Sequence, residues 1–299
     1  MKLEFNRDFL GHSSSIYCLE KGLNEDEFFS AGSDKKIVQW NLNENIGKQI
    51  ALTDDVIFSM AIDHSQNVLF CGSEKGYLYR INLNGELSAR MIKFHTKPIY
   101  GLQLVKNSLF VVSGDGILSE FDTKEFTCLN ATKIFSKGLR CLVYYMEEEY
   151  IIIGAQLGML FKYDLKNKQV IQVAQISSKK TIFSLAIDKI AKVLIVGGMD
   201  ALLRVYELND FIEKNVSINA HWFTINDLLV LDKQQLLISA SRDKKIRIWK
   251  LSDLELLKEF SIPKFPGHSH SVNKLLWLDS SNSLLSASDD RTIKCWQIN

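Results

Sequence analysis

His12, Ser30 and Asp34, then His221, Ser239 and Asp243, then His268, Ser286 and Asp290 each supply an imidazole, a hydroxyl and a carboxylate. Those are the groups of a nucleophilic triad, in which His takes the Ser proton while Asp orients the imidazole. The set returns three times, however, and each time a Trp follows it: Trp40, Trp249 and Trp296. In SAGSDKKIVQW, SASRDKKIRIW and SASDDRTIKCW the Ser stands ten positions before the Trp and the Asp six before it. An Ile (Ile37, Ile246, Ile293) stands three before it. An enzyme needs one site, whereas a repeated element needs the same internal clasp in each copy. The recurrence therefore points to buried hydrogen-bond networks that stiffen a fold.

Other chemistry is thinly represented. His268 and His270 have no third ligand at metal-binding spacing. Ser33 to Lys36 and Ser241 to Lys244 match Ser-x-x-Lys, yet no helix follows to aim the Lys at the Ser. There is no Gly-rich phosphate loop, His-Glu-x-x-His or EF-hand loop, and Lys179-Lys180 is too short for a nucleic-acid patch. No catalytic residue, metal or cofactor is expected.

The elements that must position the clasp are legible around it. Two short apolar runs flank each polar corner, which reads as strand, tight turn, strand, with Asp accepting backbone N–H groups at the corner. Weaker copies close at Ile81, Phe121, Tyr163 and Tyr206. With the Trp residues the closing positions are 40, 81, 121, 163, 206, 249 and 296, steps of 41, 40, 42, 43, 43 and 47. The sixth unit predicts strands over INDLLVL (225–231), LLISAS (236–241), KKIRIWKL (244–251) and ELLKEFSI (255–262), the last the most charged. A four-stranded sheet apolar on both faces must stack on neighbours, and radial stacking with closure protects its edges.

Composition sets the class. The 299 residues read as a single domain over 1–299, since one repeat runs end to end. With 36 Lys plus Arg against 35 Asp plus Glu, net charge does not suggest a nucleic-acid partner. No run is long enough for a membrane span. Residues 1–20 carry Glu4, Arg7 and Asp8 where a signal peptide needs an apolar run, so a cytoplasmic location is expected. Cys18, Cys71, Cys128, Cys141 and Cys295 lack metal-ligand spacing and are expected as buried reduced thiols.

The unit length, the Gly-His before the first strand (Gly11-His12, Gly267-His268) and the Ser, Asp, Trp spacing resemble the WD-repeat β-propeller family over the whole chain. The resemblance implies an all-β fold, a seven-bladed β-propeller of four-stranded antiparallel sheets. Lys2 to Phe9 precede the first unit, and the chain ends three residues after Trp296. The N-terminal strand is therefore expected to close the ring in the last blade. Unit three keeps His95 and Asp115 but has Val111 and Phe121; unit five keeps Asp200; units two and four carry Lys75 and Leu157 at the Asp position.

By the same resemblance, blades present side chains on the narrower face. The residues five after the His position are Tyr17, Phe58, Tyr100, Arg140, Phe183, Asn226 and Asn273, and those before the turn Asp include Glu74, Arg242 and Asp289. Aromatics and Arg concentrate binding energy at interfaces. Tyr17, Phe58, Glu74, Tyr100, Arg140, Phe183, Arg242 and Asp289 are thus the expected partner-binding residues of a non-catalytic scaffold for a protein or peptide, monomeric by itself. One rival is a substrate receptor or core subunit of a larger complex such as a ubiquitin ligase. The Trp-Asp-x-Arg often seen in such receptors is absent: Trp40-Asn41, Trp249-Lys250 and Trp296-Gln297 stand instead. A propeller hydrolase or lyase needs converging titratable groups, and the mapped mouth offers only Glu74, Asp289, Arg140 and Arg242.

Overall fold

Short apolar runs between polar corners become strands in the computed structural model, which describes residues 3–44, 46–84, 88–176, 178–263 and 266–298. The strands form seven four-stranded antiparallel sheets. Blade one is typical, with Ile16–Lys21, Glu27–Gly32, Lys36–Asn41 and Lys48–Leu52 paired in that order. The closing residue of every unit has the same station on its third strand. Trp40 faces Phe28, Ile81 Leu69, Phe121 Leu109 and Tyr163 Ile151; Tyr206 faces Leu194, Trp249 Leu237 and Trp296 Leu284.

Burial grades across a blade. Second strands such as Val68–Ser73, Tyr150–Ala155 and Leu236–Ser241 are buried at every residue, because both faces are covered. Fourth strands such as Ser88–Lys93 are mostly exposed. The sixth blade's third and fourth strands, Ile246–Lys250 and Leu256–Phe260, are shorter than the sequence reading. Lys244 has a φ of 73° and still belongs to the turn, where the Lys245 N–H donates to Asp243 Oδ1.

The turn after each second strand has one recurring demand. The residue following the Asp position has a positive φ in every blade: Lys35, Gly76, Gly116, Gly158, Ala201, Lys244 and Arg291. Left-handed backbone favours Gly and is strained for other residues. At Lys35, Ala201, Lys244 and Arg291 the preceding Asp offsets that strain, its carboxylate accepting the N–H two residues on, from Lys36, Leu202, Lys245 or Thr292.

Two compact units divide the chain, one holding Met1–Thr132 with Asn273–Asn299, the other Lys133–Val272. In the first, Leu3–Leu10 pairs with Thr292–Ile298 and completes the sheet of Ser283–Ser288 and Val272–Leu278. The chain is thus a seven-bladed β-propeller whose last blade is closed by its first strand. Lys2, expected in that strand, lies outside the described residues. Phe9 anchors the strand edge-on against Phe28 and Trp40, and Asp8 accepts from Lys294 Nζ at 2.6 Å. The second unit is built on clusters around Tyr150, Leu160 and Leu194, and around Leu203, Leu237 and Trp249.

The cysteines depart in part from expectation. Cys18, Cys71 and Cys295 are buried, but Cys128 is exposed and Cys141 half-buried. Cys128 opens an outer strand whose side chains alternate toward solvent. Among the described residues no helix is long and apolar enough to cross a membrane.

Candidate functional site

Each clasp spans the loop before the first strand, the second strand and the turn that follows it. In blade one, His12 Nδ1 lies 2.9 Å from Asp34 Oδ2 and Nε2 2.6 Å from Ser30 Oγ, while Trp40 Nε1 donates to Ser30 Oγ at 2.7 Å. Blade six repeats this at 3.0, 2.8 and 2.9 Å through His221, Asp243, Ser239 and Trp249. The partners fix the direction of donation. Indole N–H donates to hydroxyl, hydroxyl to Nε2, and Nδ1–H to the carboxylate, which also accepts the N–H of Ser13 or Trp222. In blade seven Trp296 Nε1 donates to Ser286 Oγ at 3.1 Å, Asp290 accepts the Thr292 N–H, and His268 is buried.

These are the distances of a nucleophilic triad, but Ser30 and Ser239 are 0% exposed and already hold an indole N–H. No substrate can reach those hydroxyls. Burial pushes the His221 imidazole below its ordinary value against the pull of Asp243, which keeps the ring neutral as the donor chain requires. For Asp115, burial pushes the carboxyl up, but the His95 imidazole and the N–H groups of Thr96 and Ile117 outweigh it and hold it at about 2.

Four blades replace the clasp in ways that spacing alone did not reveal. In blade three the hydroxyl comes from Ser119, the cross-strand partner of Val111, with His95 Nε2 2.9 Å from its Oγ. In blade five Arg204 Nη1 donates to Asp200 at 2.6 Å from the equivalent station, opposite Val196. Blade four is apolar there: Phe161, opposite Ile153, packs on Phe135 at 5.5 Å between centroids. In blade two the carboxylate crosses to the loop, where Asp55 accepts the Lys75 N–H at 2.6 Å. Ser119, Phe161 and Arg204 all stand two before the closing residue, a signal present in the sequence.

The expected partner-binding residues lie at the end of the blades that carries these loops, since Ile16 pairs with Gly32 and Ile225 with Ser241. In the first unit, Tyr17, Phe58 and Tyr100 form a ladder from blade to blade, with centroids 5.1 and 5.6 Å apart. In the second unit, the Arg140 guanidinium lies 5.3 Å over the Phe183 ring. All five are half-buried, Glu74 and Arg242 are exposed, and Asp289 is half-buried and accepts from Asn273 Nδ2 at 2.7 Å. Tyr17, Phe58 and Tyr100 are thus brought together, as are Arg140 and Phe183. Among the described residues no group of three or more His, Cys, Asp or Glu stands close enough to hold a metal ion.

Comparison with known proteins bears on this geometry. The family model for the WD domain, G-beta repeat (WD40), matches residues 3–41, 213–250 and 260–297. The chain is 19% identical over 255 residues to echinoderm microtubule-associated protein-like 4 of Xenopus tropicalis, covering 83% of this chain and 27% of that protein. It is also 19% identical over 253 residues to WD repeat and FYVE domain-containing protein 1 of Mus musculus, covering 81% and 61%. It thus spans about a quarter of the first relative and under two thirds of the second. In fold it resembles the crystal structure of the WD40 β-propeller domain of Doa1, with a TM-score of 0.87 and 13% identity over 100% of this chain and 97% of that one. The chain is thus a seven-bladed β-propeller in which three segments match the WD repeat and the same sheet plan runs through all seven blades.

Proposed function

We propose that the chain is a non-catalytic scaffold that docks a protein or peptide at the loop end of its blades. The observation that carries the reading is the aromatic ladder Tyr17, Phe58 and Tyr100, half-exposed where ordinary core packing would bury it, with Arg140 over Phe183 in the second unit. Glu74 and Asp289 in the first unit and Arg242 in the second add polar groups at the same end of their blades. Side chains held by many short strands lose little ordering entropy when a partner binds. The proposal includes a single domain over residues 1–299, a cytoplasmic location and a chain monomeric by itself.

The test is recovery of partners from lysate on the immobilised chain, with Tyr100→Ala and Arg140→Ala made singly and together. The double variant is expected to lose the partners recovered by wild type while melting at the same temperature. Undiminished recovery counts against these residues. One relative is named as microtubule-associated, so co-sedimentation with microtubules is a direct first assay of partner class.

A further inference from the structure

The unit Lys133–Val272 carries an apolar crest that neither the clasp nor the expected partner-binding residues use. Leu157, Met199, Trp222 and Phe223 are 48, 57, 77 and 57% exposed. All four sit on loops or turns at the same end of the blades, and hydrogen bonds join their segments in series. Gln175 Nε2 donates to the Leu157 carbonyl at 2.9 Å, Met199 N to Thr181 at 2.9 Å, His221 N to Ala201 at 3.1 Å and Arg242 N to Thr224 at 3.0 Å. The four side chains thus stand on neighbouring segments at one end of the unit, and exposed apolar side chains grouped in this way mark interaction sites.

Its charge is one-sided. Lys179, Lys180, Arg242 and Lys244 are exposed on these segments. The acids nearby are already engaged, Asp200 by Arg204, Asp243 by His221, and Glu259 by Lys245 and Arg247. The Lys245 ammonium sits 4.9 Å over the Trp222 ring. Beside it opens a cleft of about 290 Å³ lined by Lys244, Lys245, Ser261, Ile262 and Ser269, with the engaged Asp243 and His268 also in its wall.

We propose that this crest takes an acidic peptide with bulky apolar anchors. The anchors rest on Leu157, Met199, Trp222 and Phe223, and a peptide carboxylate enters the cleft at the exposed Lys244, since Lys245 is already paired with Glu259. This deepens the scaffold reading and rests on its claim that the loop end docks a protein, but places the anchors on other loops of one unit. A concave notch that exposes the Lys244 ammonium close to an aromatic ring suits a single carboxylate on an apolar peptide better than the surface of a bilayer.

The test pans a random dodecapeptide phage library on the full-length chain and measures the enriched peptides by fluorescence anisotropy. Enriched peptides are expected to combine Asp or Glu with Leu, Phe or Trp. Trp222→Ala and Lys244→Glu are each expected to weaken them tenfold or more without changing the melting temperature, since both side chains are exposed. Peptides lost with Tyr100→Ala and Arg140→Ala but indifferent to Trp222→Ala overturn this inference and leave the scaffold reading standing. Peptides lost with Trp222→Ala alone support it and move the docking site off Tyr100 and Arg140. Neutral or basic peptides, no enrichment, or binding to phosphatidylserine vesicles lost in Trp222→Ala in place of peptide binding overturn it.

Discussion

The clasp shows how one set of residue types can have the geometry of a catalyst and the job of a brace. Its Ser is sealed from solvent and saturated by Trp and His, so the proton chain ends in a carboxylate that also holds a loop. Removing one member strands another. Ser119→Ala leaves His95 Nε2 without the hydroxyl and is expected to cost about 1–3 kcal/mol, read as a lower melting temperature. The pH dependence follows from the same groups. The lowered His221 contributes stability that is present above the unfolded value near about 6.5 and is lost as pH falls through its folded value. Asp115, held at about 2, contributes stability present above an unfolded value near about 4 and lost as pH falls toward 2. The melting temperature is therefore expected to decline gently below pH ~6.5 and more steeply from ~4 to ~2. Asp115→Asn should flatten the second decline; an unchanged profile would remove Asp115 from the account.

Between residues and the whole molecule stands the blade, whose third strand has a station that does different work in each copy. Two positions before the closing residue it supplies a hydroxyl in Ser119, a ring in Phe161 and a guanidinium in Arg204. One residue farther along blade four, Lys162 is buried and its ammonium donates to the carbonyls of Leu208 and Asn209, both at 2.7 Å, in blade five. The rings of Tyr150 and Phe211 lie 4.6 and 5.1 Å from it. Burial lowers the Lys162 ammonium against the pull of Glu148 and Asp210, so its hydrogen bonds and rings must offset the desolvation. Lys162→Met keeps the stem but abandons two carbonyls, and is expected to destabilise by about 2–4 kcal/mol in urea unfolding. A change below about 0.5 kcal/mol would make this a surface-like contact.

For the whole molecule, closure by the first strand is the costliest feature to lose. Phe9 is 1% exposed, Phe5 packs edge-on to Trp296, and Asp8 pairs with Lys294. Deleting residues 1–9 opens the edge of the Thr292–Ile298 strand and exposes Phe28 and Trp40. The loss is expected to reach about 5 kcal/mol or more, which lowers the melting temperature by about 10 °C or more. Calorimetry of both chains is the measurement. Wild type should melt in one transition, and a truncated chain that melts alongside it would show that the strand closes nothing.

Seven units, their closing residues and the complete clasps of blades one and six were legible in the sequence, because strand periodicity and turn chemistry are local and repeat at fixed spacing. Ser119, Asp55, Arg204 and the Phe135–Phe161 pair were not read as clasp substitutes, because each acts across strands or from the far side of a turn, where the partner is set by register. The same holds for the crest at Leu157, Met199, Trp222 and Phe223. Sequence by itself determined which residues recur and hence the number and order of sheets. Only the tertiary structure decided which side chains those sheets cover and which they leave to solvent, since burial depends on what packs against a surface and not on what precedes it in the chain.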